Sequence, residues 1–475
     1  MSNLSRRQFI QTTAVGAAGA PLTAATRPNL LFVLADQWRA SAFGFGSDAV
    51  VRTPNLDALA KQGANWRRAY ASNPVCTPNR GSILTGRYSH QTGMIKNDIQ
   101  LPPNEVCWPE AFADAGYATH YVGKWHLDGP PKPGYVPPGW RRRGFQTFEG
   151  FNRGHVYHDH YGFEDDGHPL AKRAESQPDP YYEPTLQTDL ALEFMGKHTE
   201  DPFVCYLSWG PPHTPFRPPT TFDLYSAGEI ELRENVPSEH QKQAVKDLVG
   251  YYGLCESLDH EMGRLVKFLD ENGLAENTLV VFTSDHGELA GSHGKYRKGE
   301  PEDESLHVPL LMRLPGRIAG QETQSLINSI DLMPTMMSLC GLPEPGTCTG
   351  SDLSGAVLAD ARAPSVESVY CEGKVNAPAN GKTRNSPQQT PWRSVVTDRY
   401  KLSARLDYNQ VDSLFDLQED PFETRNLAGK AENKRTEKEL VAELRDWGKR
   451  SDDSFPKTPA MAREEYSDTE AAAAR

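Results

Sequence analysis

A small set of side chains in this sequence has types and spacing suited to joint chemistry. Asp36-Gln37 and Asp285-His286 are acid-plus-donor pairs. Lys124-Trp125-His126, His213 and Lys298 add cations and imidazoles, and Cys76 stands four residues before Arg80 in the stretch NPVCTPNRGSILTGRY. Two carboxylates brought together without a counter-charge repel, and one is driven to stay protonated. A divalent cation balances Asp36 and Asp285 and takes the Gln37 oxygen as a neutral ligand, so a hard-cation site is the economical reading. Thr77 reads as a helix N-cap with Pro78 at the first helical position and Gly86 beyond the end, which places Cys76 just ahead of a helix N-terminus. Negative charge developing there is stabilised by the helix dipole and by Arg80, which can fold back toward residue 76. The position suits an oxyanion-forming nucleophile, with a buried structural cysteine as the alternative.

These groups need a frame. Residues 29–35 form a continuous apolar run of strand length, as in a parallel strand buried on both faces, and residues 53–62 read as a helix capped by Thr53 with Pro54 at its start. The alternation continues as a helix at 110–115 and strand at 119–122, helix at 186–198 and strand at 203–208, then helix at 244–271 and strand at 278–283. It predicts an α/β fold whose mostly parallel sheet is sandwiched by helices. Asp36, Lys124, His126, His213, Asp285 and His286 then fall at or just beyond the carboxyl ends of four strands, where open α/β sheets bind ligands. Residues 128–185, rich in Pro, Gly, His, Tyr and Arg, read as a long loop insertion able to wall a pocket. Within it Arg141-Arg142-Arg143 and His155, His158 and His160 are candidates for binding a sugar, with solvated loop side chains as the plainer reading. Short strands at 365–371, 392–397, 400–404 and 413–416, and a helix at 436–449, predict a small antiparallel sheet with a packed helix. The expected organisation is an export signal at 1–25, a catalytic domain at 26–345, a smaller C-terminal α+β subdomain at 346–455 and a flexible tail at 456–475.

The 475 residues suffice for a large core plus a smaller unit. A net charge of -13 argues against nucleic acid and anionic membrane as partners, since those demand a basic face. No window approaches the roughly 18 unbroken apolar residues of a membrane span. Residues 1–25 combine Arg6-Arg7, a weakly apolar Ala/Gly run and small residues suited to cleavage, the pattern of a twin-arginine export signal. That predicts a periplasmic or secreted bacterial protein. Among seven cysteines, Cys340 and Cys348 flank a Gly/Pro-rich loop and could pair, while Cys205 and Cys255 read as buried small hydrophobes.

Cys76-Thr77-Pro78-Asn79-Arg80 followed by Leu84-Thr85-Gly86-Arg87 resembles the signature of the type I sulfatases. RPNLLFVLADQ, TPNLDALA, GYATHYVGKWHL, PPHTPF, LVVFTSDHGELAGSHGKYRKG, SLHVPLLMRLPG and LFDLQEDPFETRNLA resemble further blocks of that family, in family order over nearly the whole chain. The resemblance implies an alkaline-phosphatase-like fold and hydrolysis of sulfate esters, most of all of a sulfated carbohydrate. It implies that Cys76 is converted by a formylglycine-generating or sulfatase-maturing enzyme to 3-oxoalanine, Cα-formylglycine. Metal ligands are implied at Asp36, Gln37, Asp285 and His286 with the residue 76 side chain, and sulfate-binding or catalytic roles at Arg80, Lys124, His126, His213 and Lys298. Many members carry a second aspartate where this chain has Gln37 and asparagine where it has His286. Both substitutions resemble choline sulfatases and phosphonate monoester hydrolases, which leaves a phosphonate or phosphodiester substrate as the alternative. Imidazole is softer than an amide oxygen, so calcium is expected with manganese admitted.

Overall fold

The computed structural model describes residues 27–48, 50–158, 162–170, 182–358, 366–374, 390–455, 457 and 460–475. The expected export signal and His160 lie outside the described residues.

The first apolar run is strand β1 (Asn29–Asp36), buried along its whole length. Leu30, Phe32 and Leu34 enter one hydrophobic cluster while Leu31, Val33 and Ala35 enter another, which is the two-sided burial that an unbroken apolar strand needs. In chain order follow β2 (Ala64–Trp66), β3 (Ala69–Tyr70), β4 (Ala118–Lys124), β5 (Thr147–Phe151), β6 (Phe203–Pro212), β7 (Thr278–Ser284), β8 (His307–Val308), β9 (Leu310–Arg313), β10 (Gln321–Thr323) and β11 (Ile327–Asn328). The main sheet has eight strands in the order β10-β2-β9-β7-β1-β6-β4-β5. Pairing from β7 through β1, β6 and β4 to β5 is parallel, and β9 runs antiparallel between β2 and β7. Helices Pro54–Gln62, Glu183–Lys197 and Gln241–Glu271 cover one face, and Cys76–Thr85, Trp108–Asp114 and Leu332–Leu339 cover the other. The parallel pairing brings the ends of β1, β4, β6 and β7 to a single sheet edge.

The C-terminal unit is an antiparallel sheet of β12 (Ser368–Gly373), β13 (Trp392–Thr397), β14 (Tyr400–Arg405) and β15 (Val411–Asp416). Helix Lys434–Arg450 packs Leu440 and Leu444 on it beside Tyr88 and Ile330 of the larger unit. A buried ionic joint ties the two together: Glu372 accepts from His90 Nδ1 at 2.9 Å, and Arg393 Nη2 lies 3.1 Å from Asp453 Oδ1.

Five expectations are corrected. The insertion at 128–185 is not all loop, because β5 within it extends the main sheet. Helix Cys76–Thr85 starts two residues early, with Val75 rather than Thr77 at the cap, so Cys76 rather than Pro78 is its first residue. Thr77 does not cap, since its hydroxyl donates to the His126 carbonyl at 2.9 Å. All seven cysteines are free thiols, Cys340 and Cys348 included. Residues from 460 onward pack rather than trail: Ala462 N donates to Gly93 O at 3.0 Å, Gln100 N to Arg463 O at 3.3 Å, and helix Asp468–Ala474 closes the chain.

Candidate active site

Asp36 ends β1, and Gln37 turns the chain with φ of 70°, a left-handed conformation that costs a non-glycine residue about 1–3 kcal/mol. The turn is held from three sides. Gln37 N donates to Asp285 Oδ1 at 3.1 Å, Trp38 N to Ser284 Oγ at 2.8 Å, and the Tyr251 hydroxyl to Gln37 O at 2.9 Å. The side-chain amide is clamped as well. Nε2 donates to Glu288 Oε2 at 2.6 Å, which leaves Oε1 to face Lys298 Nζ at 3.0 Å.

Cys76 is 1 % exposed at the positive end of its helix. Lys298 Nζ donates to its Sγ at 3.0 Å, His286 Nε2 lies at 3.3 Å and Asp36 Oδ1 at 3.7 Å. Burial and Asp36 push the thiol up, but Lys124, Lys298 and His286 outweigh them and hold it well below its ordinary range. Arg80, one turn on, does not fold back onto residue 76. Its Nε donates to Asp285 Oδ2 at 2.8 Å, Nη2 to Asp36 Oδ2 at 3.2 Å, and Nη1 to Lys124 O and Ser208 Oγ, both at 2.8 Å. Lys124 Nζ bonds the same Asp36 oxygen. The two carboxylates therefore already have counter-charges, which a charge-balance argument from the sequence does not foresee. Burial works to raise Asp36, yet Lys124 foremost holds it well below the usual carboxylate range. Asp285 is raised by burial and by Asp36.

The donor set nevertheless fits a cation. His286 Nδ1 is 3.0 Å from the Gly287 carbonyl, so its proton belongs there and the Nε2 lone pair faces inward. Nε2 then meets Asp285 Oδ1 at 3.5 Å and Asp36 Oδ1 at 3.6 Å, both acceptors. Lone pairs converging this way require a positive charge among them, either a proton or a metal ion. One donor atom each from Asp36, Cys76, Asp285 and His286 lies within 4.8 Å of all the others. Burial opposes a charged His286, and Asp285 overrides it, so the ring is raised above its ordinary value.

The remaining expected residues form the wall. His213 follows β6 and stacks on His155, with ring centroids 3.6 Å apart and planes 6° from parallel. His155 Nε2 lies 3.5 Å from Lys124 Nζ. Burial, then Lys298, push His213 down to about 3, and burial with Lys124 pushes His155 far below its ordinary value. His126 stands apart. Its Nε2 is 3.0 Å from Asp98 Oδ1, and among the described residues no hydrogen bond joins its ring to the thiol cluster. Of the basic run, Arg141 pairs with Asp128, Arg142 with Asp165, and buried Arg143 bonds the Glu105 carbonyl, so this run holds the insertion together and ties it to the segment before it. His158 is exposed, with Nε2 3.0 Å from Arg217 O. Sequence reasoning did not single out Asp98, Ser208 or Glu288, and offered His155 as a candidate sugar contact with a solvated loop side chain as the plainer reading. Gln37 and Glu288 are 251 positions apart, and no spacing rule reaches across that interval.

The fold is the alkaline-phosphatase-like one shared with solved sulfatases. The family described as Sulfatase matches residues 28–342, and N-sulphoglucosamine sulphohydrolase, C-terminal, matches residues 291–450. An ulvan-active sulfatase of Formosa agariphila is 35% identical over 428 residues, covering 88% of this chain and 80% of that one. An N-acetylglucosamine-6-O-sulfatase of Bacteroides thetaiotaomicron is 25% identical over 519 residues, covering 90% and 88%. The solved phosphonate monoester hydrolase of Silicibacter pomeroyi superimposes with a TM-score of 0.73 at 23% identity, covering 90% of this chain and 96% of that one. The chain belongs to the formylglycine-type sulfatase family and is a sulfuric ester hydrolase.

Proposed function

We propose that the protein is an exported sulfatase acting on sulfate esters of a carbohydrate, with residue 76 converted to Cα-formylglycine beside a calcium ion. The observation that carries this reading is the buried Cys76 thiol, set at a helix N-terminus against Asp36, Asp285, His286 and Lys298. The relatives named for ulvan and for N-acetylglucosamine sulfate support the carbohydrate class. Arg6-Arg7 and the small-residue run after them support twin-arginine export to the periplasm or beyond.

Asp36, Gln37, Asp285, His286 and the residue 76 side chain would hold the cation. When present, the cation supplies Lewis-acid polarisation and the formylglycine supplies a hydrated-aldehyde nucleophile. Lys124, Lys298 and Arg80 neutralise the sulfate oxygens, and His213 hydrogen-bonds to them. Lys298, whose Nζ lies 3.0 Å from the residue 76 side chain and 3.0 Å from Gln37 Oε1, is placed to pass a proton to the leaving oxygen. His213, pushed down to about 3 by burial and Lys298, is neutral there and hydrogen-bonds as an imidazole. His126 serves as base when sulfate is released.

The test is turnover of a panel of sulfated mono- and oligosaccharides by the matured protein, with loss of all activity in Cys76→Ala. Intact mass of the residue 76 peptide about 18 Da below the thiol form confirms conversion. Stripping the cation and restoring calcium or manganese separately identifies the metal, since the imidazole of His286 admits either. A phosphonate or phosphodiester hydrolase, or a choline-sulfatase-like enzyme, is the second reading, favoured by Gln37, by His286 and by the Silicibacter neighbour. Paired sulfate and phosphonate esters of one alcohol separate the two, and a higher kcat/KM for sulfate is expected.

A further inference from the structure

We propose that Asp98 is the positioning residue for His126, holding its imidazole in the tautomer that leaves Nδ1 free to take a proton. The inference rests on the assignment of His126 as base. Asp98 Oδ1 lies 3.0 Å from His126 Nε2, and Arg153 Nη1 holds the other carboxylate oxygen at 2.5 Å. An ionised carboxylate only accepts, so the ring proton sits on Nε2 and the lone pair on Nδ1. Nδ1 is buried and has no hydrogen-bond partner among the described residues. A ring kept only for structure would be expected to satisfy both nitrogens, because an unpaired buried acceptor is costly.

The backbone adds an independent observation. Asp98 has φ of 65° and His126 φ of 60°, so both partners sit in left-handed conformations that side chains rarely adopt. Such conformations persist only where the surroundings over-determine them, and they gather at working sites. Here a closed ring of hydrogen bonds does so. Asn97 Oδ1 accepts from Thr77 N at 3.1 Å, the Thr77 hydroxyl donates to His126 O at 2.9 Å, and His126 bonds Asp98, the neighbour of Asn97. Thr77 is the residue after Cys76, so the pair is registered to the nucleophile through one peptide unit. His126 can then take a proton at Nδ1 while Asp98 keeps the Nε2 proton and stabilises the imidazolium.

The first measurement uses the unconverted thiol protein with 15N-labelled histidine, which separates this inference from the sulfatase reading. His126 is expected with Nε2 protonated and Nδ1 bare, a single tautomer lost in Asp98→Ala and kept in Asp98→Glu. In matured enzyme, Asp98→Ala is expected to lower kcat about 100-fold with KM within about threefold, Asp98→Glu to recover part of it, and Asp98→Ala added to His126→Ala to cost nothing further. A wild-type His126 protonated on Nδ1, a KM-only effect, or losses that add in the double variant would each overturn the proposal. Wild-type enzyme inert toward sulfate esters would sink the proposed function and leave the tautomer result to decide the role of Asp98.

Discussion

Glu288 lies one layer behind the reacting groups, yet it decides which end of the Gln37 amide faces them. Its Oε1 accepts from Ala290 N at 2.8 Å and Arg297 N at 2.7 Å, so Oε2 is left for Gln37 Nε2. In Glu288→Gln an NH2 group would oppose the Gln37 NH2, and relief of that clash turns the amide nitrogen toward Lys298 and the cation. A loss of about 10–100-fold in cation affinity is expected, read by titrating metal-stripped protein and following its melting temperature. Most of the residues that the fold gathers here were legible because they stand at or just beyond a strand end or at a helix start that the apolar pattern marks, whereas Lys298 lies in the loop after β7 and was reached through the family resemblance. Their supporting residues were not. Glu288 and Asp98 meet their partners through folding, and His155 is drawn in from the insertion by its stack on His213.

The helix that carries Cys76 and Arg80 is fixed at its far end by Gly86, which adopts φ of 63° at the C-cap. A Cβ there would overlap Cys348 Sγ and stand 3.1 Å from Met333 Sδ. Gly86→Ala therefore combines a disfavoured backbone with overpacking, and a loss of roughly 1–3 kcal/mol is expected in urea unfolding. The main strands and helices were readable to within a few residues, since an apolar run of strand length followed by a 3.6-residue period leaves little choice. Strands β2, β3, β8, β10 and β11 have only two or three residues each, too few to show any period. Strand β5 was hidden by the Gly, Pro and Arg residues around it. Cys76 was placed outside the helix because Thr77-Pro78 resembles a cap, whereas the Thr77 hydroxyl is needed by the His126 carbonyl.

At the scale of the molecule, the joint of His90, Glu372, Arg393 and Asp453 contributes a pH dependence to stability. Burial would lower His90, but Glu372 raises it above its usual 6.5, so its contribution is complete below that value and is lost as pH rises through the raised one. Glu372 is lowered, burial opposing and His90 prevailing, and Asp453 is lowered to about 2, burial again opposing and Arg393 prevailing. Their contributions are present above the usual carboxylate values and are lost as pH falls toward the lowered ones. The melting temperature is expected to peak between roughly pH 5 and 6.5, and His90→Gln should flatten the alkaline decline in a thermal-shift series. The burial of Cys76 sets a constraint in time as well. Every residue of its helix is buried, so a tailoring catalyst cannot grip this segment once the sheet has closed over it. Purified folded thiol protein should resist conversion by a maturing enzyme, while chain unfolded and refolded in its presence should lose about 18 Da. If residue 76 is converted and the chain is exported folded, as proposed above, the oxidation has to precede both folding and departure, on the cytoplasmic side.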